Sequence, residues 1–374
     1  MSLKNIISII TLSYLFFTAC EEESVNPDEL HTMPLLEQQQ SIGTLIGFNE
    51  AHPQQTEDSI TARWDEAIQK GMRVARLQID WTDLEPEKDN YNKDLLRNSL
   101  QNHQQQGLQT FLLISVYDSE GIVVPGYLGN VSIGSSNLHE RFNKLLDWVI
   151  PMLIDHDGFL ISIANEPDNE MNEVTGLAGQ ILNFFIHARD HIHSIDKRMA
   201  VTITLTEGGL DSNISGVDAI LKEVDIACWN FYGSKPAAGP PWYLVQDEQE
   251  IKNDIERMIK ASKGKQIVIQ ELGLWSGGDV LNSSLEIQKR FFEVFFSEME
   301  KEERIRAAFV FQLVDWSPFA TGVMLSLFEE GEVPQSFLDA FAESLRTIGL
   351  IRYEDGQRKP AWDTFTSYLE KHHP

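Results

Sequence analysis

From residue 43 to the end, short apolar runs alternate with longer amphipathic stretches, and the alternation repeats eight times. Runs such as Arg73–Ile79, Gln109–Val116, Phe159–Ala164, Met199–Leu205 and Gln266–Gln270 are too short for helices. They are rich in Val, Ile, Leu and Phe. A near-continuous apolar run bounded by turn residues is how a strand buried on both faces reads, and such strands belong to parallel sheets. Between them the apolar residues fall at helical spacing, as in Lys93–Gln106, Leu138–Asp155, Glu173–Ser194, Glu248–Ser262 and Leu285–Lys301. With Thr44–Asn49, Val224–Trp229 and Arg306–Leu313 added, the pattern predicts eight β-α units and therefore an α/β fold, a (β/α)₈ barrel. An open doubly wound sheet requires a glycine-rich turn after the first strand, and Gly47-Phe48-Asn49-Glu50 lacks one. No repeat period or shift of composition marks a second domain in the stretch 43–374.

The first residues stand apart. Lys4 precedes an apolar stretch, Ile6–Phe17, too short to span a bilayer, and Phe17-Thr18-Ala19-Cys20 follows. Small residues before a cysteine resemble the lipobox of bacterial lipoproteins. On that resemblance residues 1–19 are a signal peptide, and Cys20 is the lipidated residue that anchors an exported protein to the outer membrane. An ordinary secretory signal with an incidental cysteine is the alternative. The acidic run Glu21-Glu22-Glu23 resembles a surface-export signal, or is a solvated linker. The polar stretch 20–42, with Pro27, Pro34 and Gln38-Gln39-Gln40, is expected to be a flexible tether.

Apart from Cys20 the chain has only Cys228, so no disulfide framework or zinc cluster is expected, and Cys228 reads as a small buried hydrophobe. The formal net charge of −27 disfavours nucleic acid and polyanionic glycans. A neutral carbohydrate substrate and a monomeric protein are expected, with no cofactor or metal.

Two glutamates sit where a barrel does its chemistry. Glu166 follows Ile161–Asn165, and Glu271 closes Ile267–Glu271, so both lie at C-terminal strand ends. Two carboxyl groups from different strands facing one pocket are what cleavage of a glycosidic bond needs. A retaining enzyme holds them about 5–5.5 Å apart.

Asn165-Glu166-Pro167 on the fourth strand and Glu271-Leu272-Gly273 on the seventh resemble the clan of retaining (β/α)₈ glycoside hydrolases, the cellulase-like family 5 in particular. The resemblance covers roughly residues 43–370. It implies that Glu166 is the acid/base, Glu271 the nucleophile, and Asn165 a ligand of the sugar 2-hydroxyl. Arg76, in Val74–Trp81 followed by Glu85-Pro86 and Tyr91, is implied as the cation beside the nucleophile, or else an internal ion-pair partner. Tyr232 resembles the tyrosine that binds the nucleophile, though packing accounts for it equally. Trp316 resembles the sugar-stacking platform, with plain core as the alternative; Trp229 reads as core. Gly349–Ile351, Asp355-Gly356 and Lys359–Trp362 resemble the end of such barrels. Where many relatives place a histidine after the third strand, this chain has Ser115-Val116-Tyr117-Asp118, so Tyr117 or Asp118 is expected to meet the sugar. The rival class is a surface glycan-binding lipoprotein without turnover.

Other polar groups read as structural. Glu85 is expected to cap or pair at the surface, and Glu207-Gly208-Gly209 to form a tight turn. Ser276–Asp279 reads as a turn rather than a phosphate site. His187 and His191 are expected on a solvated helix face.

Overall fold

The computed structural model describes residues 40–44, 54–118, 121–171, 174–212, 214–326, 328 and 333–372. The expected signal peptide, lipidation site and most of the tether lie outside them, as does most of the expected first strand.

Eight parallel strands close into a barrel: β1 Ser41–Thr44, β2 Val74–Gln78, β3 Gln109–Leu113, β4 Gly158–Asn165, β5 Ala200–Thr206, β6 Ala227–Tyr232, β7 Ile267–Gly273 and β8 Ile305–Val310. Each pairs with its neighbours in chain order, and β1 closes the ring against β8 in the register Ser41↔Ala307 to Thr44↔Val310. The (β/α)₈ fold is thus as the sequence implies. β1 begins three residues earlier than expected, taking Ser41 and Ile42 from the stretch assigned to the tether. They belong to the strand because both side chains are buried and Ser41 and Ile42 pair with Ala307 and Ala308.

The main helices are α1 Gln54–Gln69, α2 Lys93–Gln105, α3 Ser136–Asp155, α4 Leu177–Ile195, α5 Ile214–Glu223, α6 Glu248–Ala261, α7 Leu285–Met299 and α8 Pro360–His372. Their starts follow local chemistry. The side chains of Asn92, Ser135 and Ser284 accept N–H groups of the first turns of α2, α3 and α7. Asp247 and Glu250 form a reciprocal capping box on α6. No described helix is long and apolar enough to cross a membrane.

Two apolar layers result. Residues such as Leu112, Ile161, Ile203 and Trp229 join the helices in one large cluster. Val74, Phe111, Leu160, Cys228, Val268 and Phe309 form a separate cluster drawn from the strands themselves. That division is what strict alternation along barrel strands produces. Cys228 is fully buried there, as expected, and Trp229 is core, its indole N–H donated to Ser262 Oγ at 3.2 Å.

The connections at the C-terminal strand ends are more ordered than the sequence suggests. Tyr117–Asp118 pairs with Gly121–Ile122. The expected loop 233–241 contains one strand of a ribbon, Ser234–Pro236 against Tyr243–Val245. The stretch after β8 carries helices Pro318–Leu325 and Gln335–Thr347.

Candidate active site

Strict alternation sends neighbouring strand residues to opposite faces, yet Asn165, Glu166 and Gln270 all bond Asn230, and Glu271, next to Gln270, bonds Tyr232 on the same face as Asn230. Irregular pairing resolves this. Along β7 the register against β6 slips between Ile269 and Glu271, and against β8 between Ile269 and Leu272. Along β4 it slips between Ser162 and Asn165. A bulge of this kind re-aims a side chain. Glu166 adds a left-handed backbone (φ 51°, ψ 37°) as it enters the single turn Pro167–Asn169.

The two glutamates have different surroundings. Glu271 is 7% exposed, and its Oε1 accepts from Arg76 Nη1 at 2.7 Å while Oε2 accepts from the Tyr232 hydroxyl at 2.5 Å. Arg76 is itself buried. Both contacts favour a charged carboxylate. Burial, then the Glu271 and Glu166 charges, hold the Tyr232 phenol well above its ordinary pKa, so it stays a donor.

Among the described residues no cation is bonded to Glu166. Its Oε1 accepts from Asn230 Nδ2 at 2.8 Å and its Oε2 from Asn169 Nδ2 at 3.2 Å. Surrounding protein and the facing Glu271 charge push its carboxyl up to about 8, against the weaker opposing pull of Asn230. One carboxyl is thus kept protonated near neutrality beside another that is ion-paired, the division of labour that acid/base chemistry requires.

Carboxamides fix the arrangement. Asn165 Oδ1 accepts from Gln270 Nε2 at 2.8 Å and from Asn230 Nδ2 at 3.2 Å, and Asn165 Nδ2 donates to Asp118 Oδ1 at 3.3 Å. Gln270 Oε1 accepts from Thr204 Oγ1 at 2.6 Å. The turn carrying Glu166 is pinned to β5 by Asp168, which is 1% exposed and accepts from the Thr206 backbone N–H and, at 2.6 Å, its hydroxyl. Burial raises the Asp168 carboxyl to about 6. A Cβ on Gly209 would lie 2.1 Å from Asp168 Oδ2, which explains the glycine.

Glu166, Glu271, Asn165, Arg76 and Tyr232 therefore converge. Tyr117 and Trp316 are both buried against neighbouring side chains. Tyr117 is 4% exposed and its hydroxyl is donated to Glu170, so it braces the loop after Glu166, and Asp118 is the member of that pair bonded into the site. Trp316 is 5% exposed within a cluster of Ala320, Leu345 and Ile348, against which Tyr232 and Phe311 pack. Ala320, on the helix that follows, packs against it. The half-buried aromatic at the end of β8 is Phe311, edge-on to Tyr232 with ring centroids 6.1 Å apart.

Asn230, Gln270 and Phe311 escaped the sequence reading. Asn230 had a usable signal, since it stands two residues from Tyr232 on the same strand and so shares its face. Glu85 also departs from expectation: it is fully buried, ion-paired with Arg141, and accepts Trp81 Nε1–H and the Asp89 N–H, both at 2.9 Å. Glu207 pairs with Arg257 at 2.8 Å. The Ser276–Asp279 turn is filled from within, because the Glu343 carboxylate accepts N–H groups of Asp279, Val280 and Leu281 at 2.8–2.9 Å. His191 bonds Asp147 at 2.8 Å and the exposed His187 lies against His139.

No family model and no curated protein matches the sequence. Solved structures do match in shape. An exo-β-1,4-mannosidase, Op5Man5 from Opitutaceae bacterium strain TAV5, superposes with a TM-score of 0.64 at 13% identity over 89% of this chain and 59% of that one. The chain thus spans less than two thirds of that protein's length. A GH5_18 protein from Bifidobacterium longum subsp. longum, in complex with Manβ1-4GlcNAc, gives 0.66 at 14% identity, covering 89% and 78%. A β-glucosidase, 1317, gives 0.57 at 14%, covering 87% and 91%. At such low identity the likeness establishes the fold: this chain has the (β/α)₈ barrel found in these glycoside hydrolases.

Proposed function

We propose that the protein is a retaining β-glycoside hydrolase acting by double displacement on a neutral β-linked oligosaccharide or polysaccharide. One observation carries the reading: at the C-terminal strand ends Glu271 is ion-paired with Arg76, while Glu166, bonded to Asn230 and Asn169, has its carboxyl raised to about 8 by burial and the Glu271 charge. In the first step Glu271 attacks the anomeric carbon and Glu166 gives its proton to the departing oxygen. The resulting glycosyl-enzyme is opened by water, whose proton returns to Glu166, with net retention. Tyr232 and Arg76 keep the attacking carboxylate charged and aimed, and Asn165 offers its amide to the sugar. No step calls on a metal or cofactor.

Cleavage from a chain end is the favoured mode. The ribbon at 234–245 and the helices Pro318–Leu325 and Gln335–Thr347 build up the strand-end face, and the neighbours named above include an exo-β-1,4-mannosidase and a β-glucosidase. The sequence before the barrel supports export and lipid anchoring through Cys20; metabolic labelling with a palmitate analogue, lost in Cys20→Ala, tests that part.

The mechanism is tested with activated 2-deoxy-2-fluoro β-glycosides, which trap a glycosyl-enzyme. Intact mass is expected to rise by one sugar, with the label on the peptide containing Glu271. Turnover of the parent glycosides without any trapped adduct, or a label elsewhere, rejects the nucleophile assignment.

A further inference from the structure

Strand β2 carries a ladder of polar side chains of which double displacement, as described above, uses only the first, Arg76. Arg76, Gln78 and Asp80 stand at i, i+2 and i+4. The Ile79 N–H still bonds Leu113 O at 3.1 Å, and Asp80 is extended at φ −72°, ψ 144°. The alternation of an extended strand therefore runs through all three, placing them on one face with about 6–7 Å between rungs. Ile79, on the opposite face, is buried, whereas Gln78 and Asp80 are half-buried.

The lowest rung, Arg76, holds Glu271 through Nη1. Through Nη2 it donates to Gln78 Oε1 at 2.6 Å. That bond decides which end of the glutamine amide is which. A guanidinium has no acceptor, so the oxygen must face Arg76 and the NH₂ group must face away from it. Gln78 Nε2 donates to no described residue. Asp80 begins the short helix Trp81–Leu84 without a side-chain bond to it. Burial and the charges of Asp83 and Asp118 raise its carboxyl above the ordinary range. Next to the nucleophile, then, the ladder presents a donor of fixed direction and, one rung higher, an acceptor.

We propose that Gln78 is a specificity-determining residue: its Nε2–H donates to an oxygen of the sugar held against Glu271, and Asp80 receives a hydroxyl hydrogen from the same sugar. The proposal rests on the glycosidase reading above. A hydroxyl meeting such a pair is recognised by both its lone pair and its hydrogen. An analogue lacking it leaves the amide and the carboxylate without partners, which is the arrangement that discriminates most strongly.

The experiment compares kcat/KM for an aryl β-glycoside and its monodeoxy analogues in the wild type, Gln78→Met and Gln78→Glu. Met keeps the length and removes both polar ends; Glu keeps an acceptor for Arg76 and removes the N–H donor. The wild type is expected to lose roughly tenfold or more on deletion of one particular hydroxyl. In both variants that loss should shrink to about twofold, while the losses at other positions persist. Asp80→Asn should reduce the same loss. An unchanged deoxy pattern in active variants overturns the proposal. So does a uniform fall across all substrates in Gln78→Met that Gln78→Glu restores, because Gln78 then only orients Arg76. A wild type that turns over no glycoside overturns the glycosidase reading with it, so the two failures are told apart.

Discussion

Arg76 Nη1 and Glu271 Oε1 lie 2.7 Å apart across the barrel although 195 residues separate them in the chain. The pair is buried on both sides. Removing the cation leaves a desolvated carboxylate with Tyr232 as its remaining partner.

Arg76→Met is therefore expected to lower kcat by about 10²–10³-fold, the range seen when a group that stabilises charge in an active site is deleted. It should also destabilise the fold by about 3–5 kcal/mol, because a buried charge loses its partner. Steady-state kinetics and urea unfolding check the two effects. Arg76→Lys keeps the charge but cannot reach both Glu271 and Gln78 in the same fork, and is expected to fall between.

The raised carboxyl of Glu166 gives the pH profile a direction. The first step needs its proton, so activity should fall as pH rises through about 8. Asn230 bonds the ionised form and opposes the shift, so Asn230→Ala should move the alkaline limb upward. Measured kcat/KM profiles decide this, and a limb that stays in place removes Asn230 from the account. Linkage adds a stability signature. A carboxyl whose folded pKa lies above its unfolded value of about 4.3 costs the fold stability as pH climbs between the two. Glu166→Gln escapes that cost. Its Tm advantage over the wild type should grow from pH 4.5 to pH 8 and then level off.

Glu85 and Arg141 form another buried ion pair, with no hydrogen bond to Glu166 or Glu271. Glu85→Ala orphans the guanidinium and frees the Trp81 indole and the Asp89 N–H. A loss of about 3–5 kcal/mol in urea unfolding is expected. The kcat of the folded fraction should stay within about twofold of wild type, and a double-mutant cycle with Arg141→Met should recover a large coupling.

Glu343 stands in for an anion at the turn after β7. Glu343→Ala leaves three N–H groups without their acceptor and is expected to cost about 2–3 kcal/mol. Gly277→Ala should do similar damage, because a Cβ there would lie 2.5 Å from Glu343 Cγ. Thermal melts of both variants check the claim.

The barrel was legible because its code is local. Eight apolar runs and their helices follow from period and composition, and boundaries moved mostly by one to three residues. The placement of Glu166 and Glu271 at C-terminal strand ends was legible because each directly follows or closes an apolar run. What escaped depends on register. Gln270 and Glu271 reach one face only through a slip in pairing, and no periodicity announces a slip. Glu85 read as a surface group because its partner, Arg141, lies 56 residues away on α3. The packing of Ala320 against Trp316 was not legible for a related reason: the helix that carries Ala320 comes after Trp316, and its fold-back is a tertiary event.

The ring is closed by one of its shortest staves. β1 spans four residues, and Thr44 Oγ1 reaches Val310 O across 266 positions of chain. Until β8 exists the growing polypeptide has two raw flanks, and each can recruit a stranger's backbone. Loss of Gln40–Thr44 would make that condition permanent, leaving the facing edges of β2 and β8 unpaired.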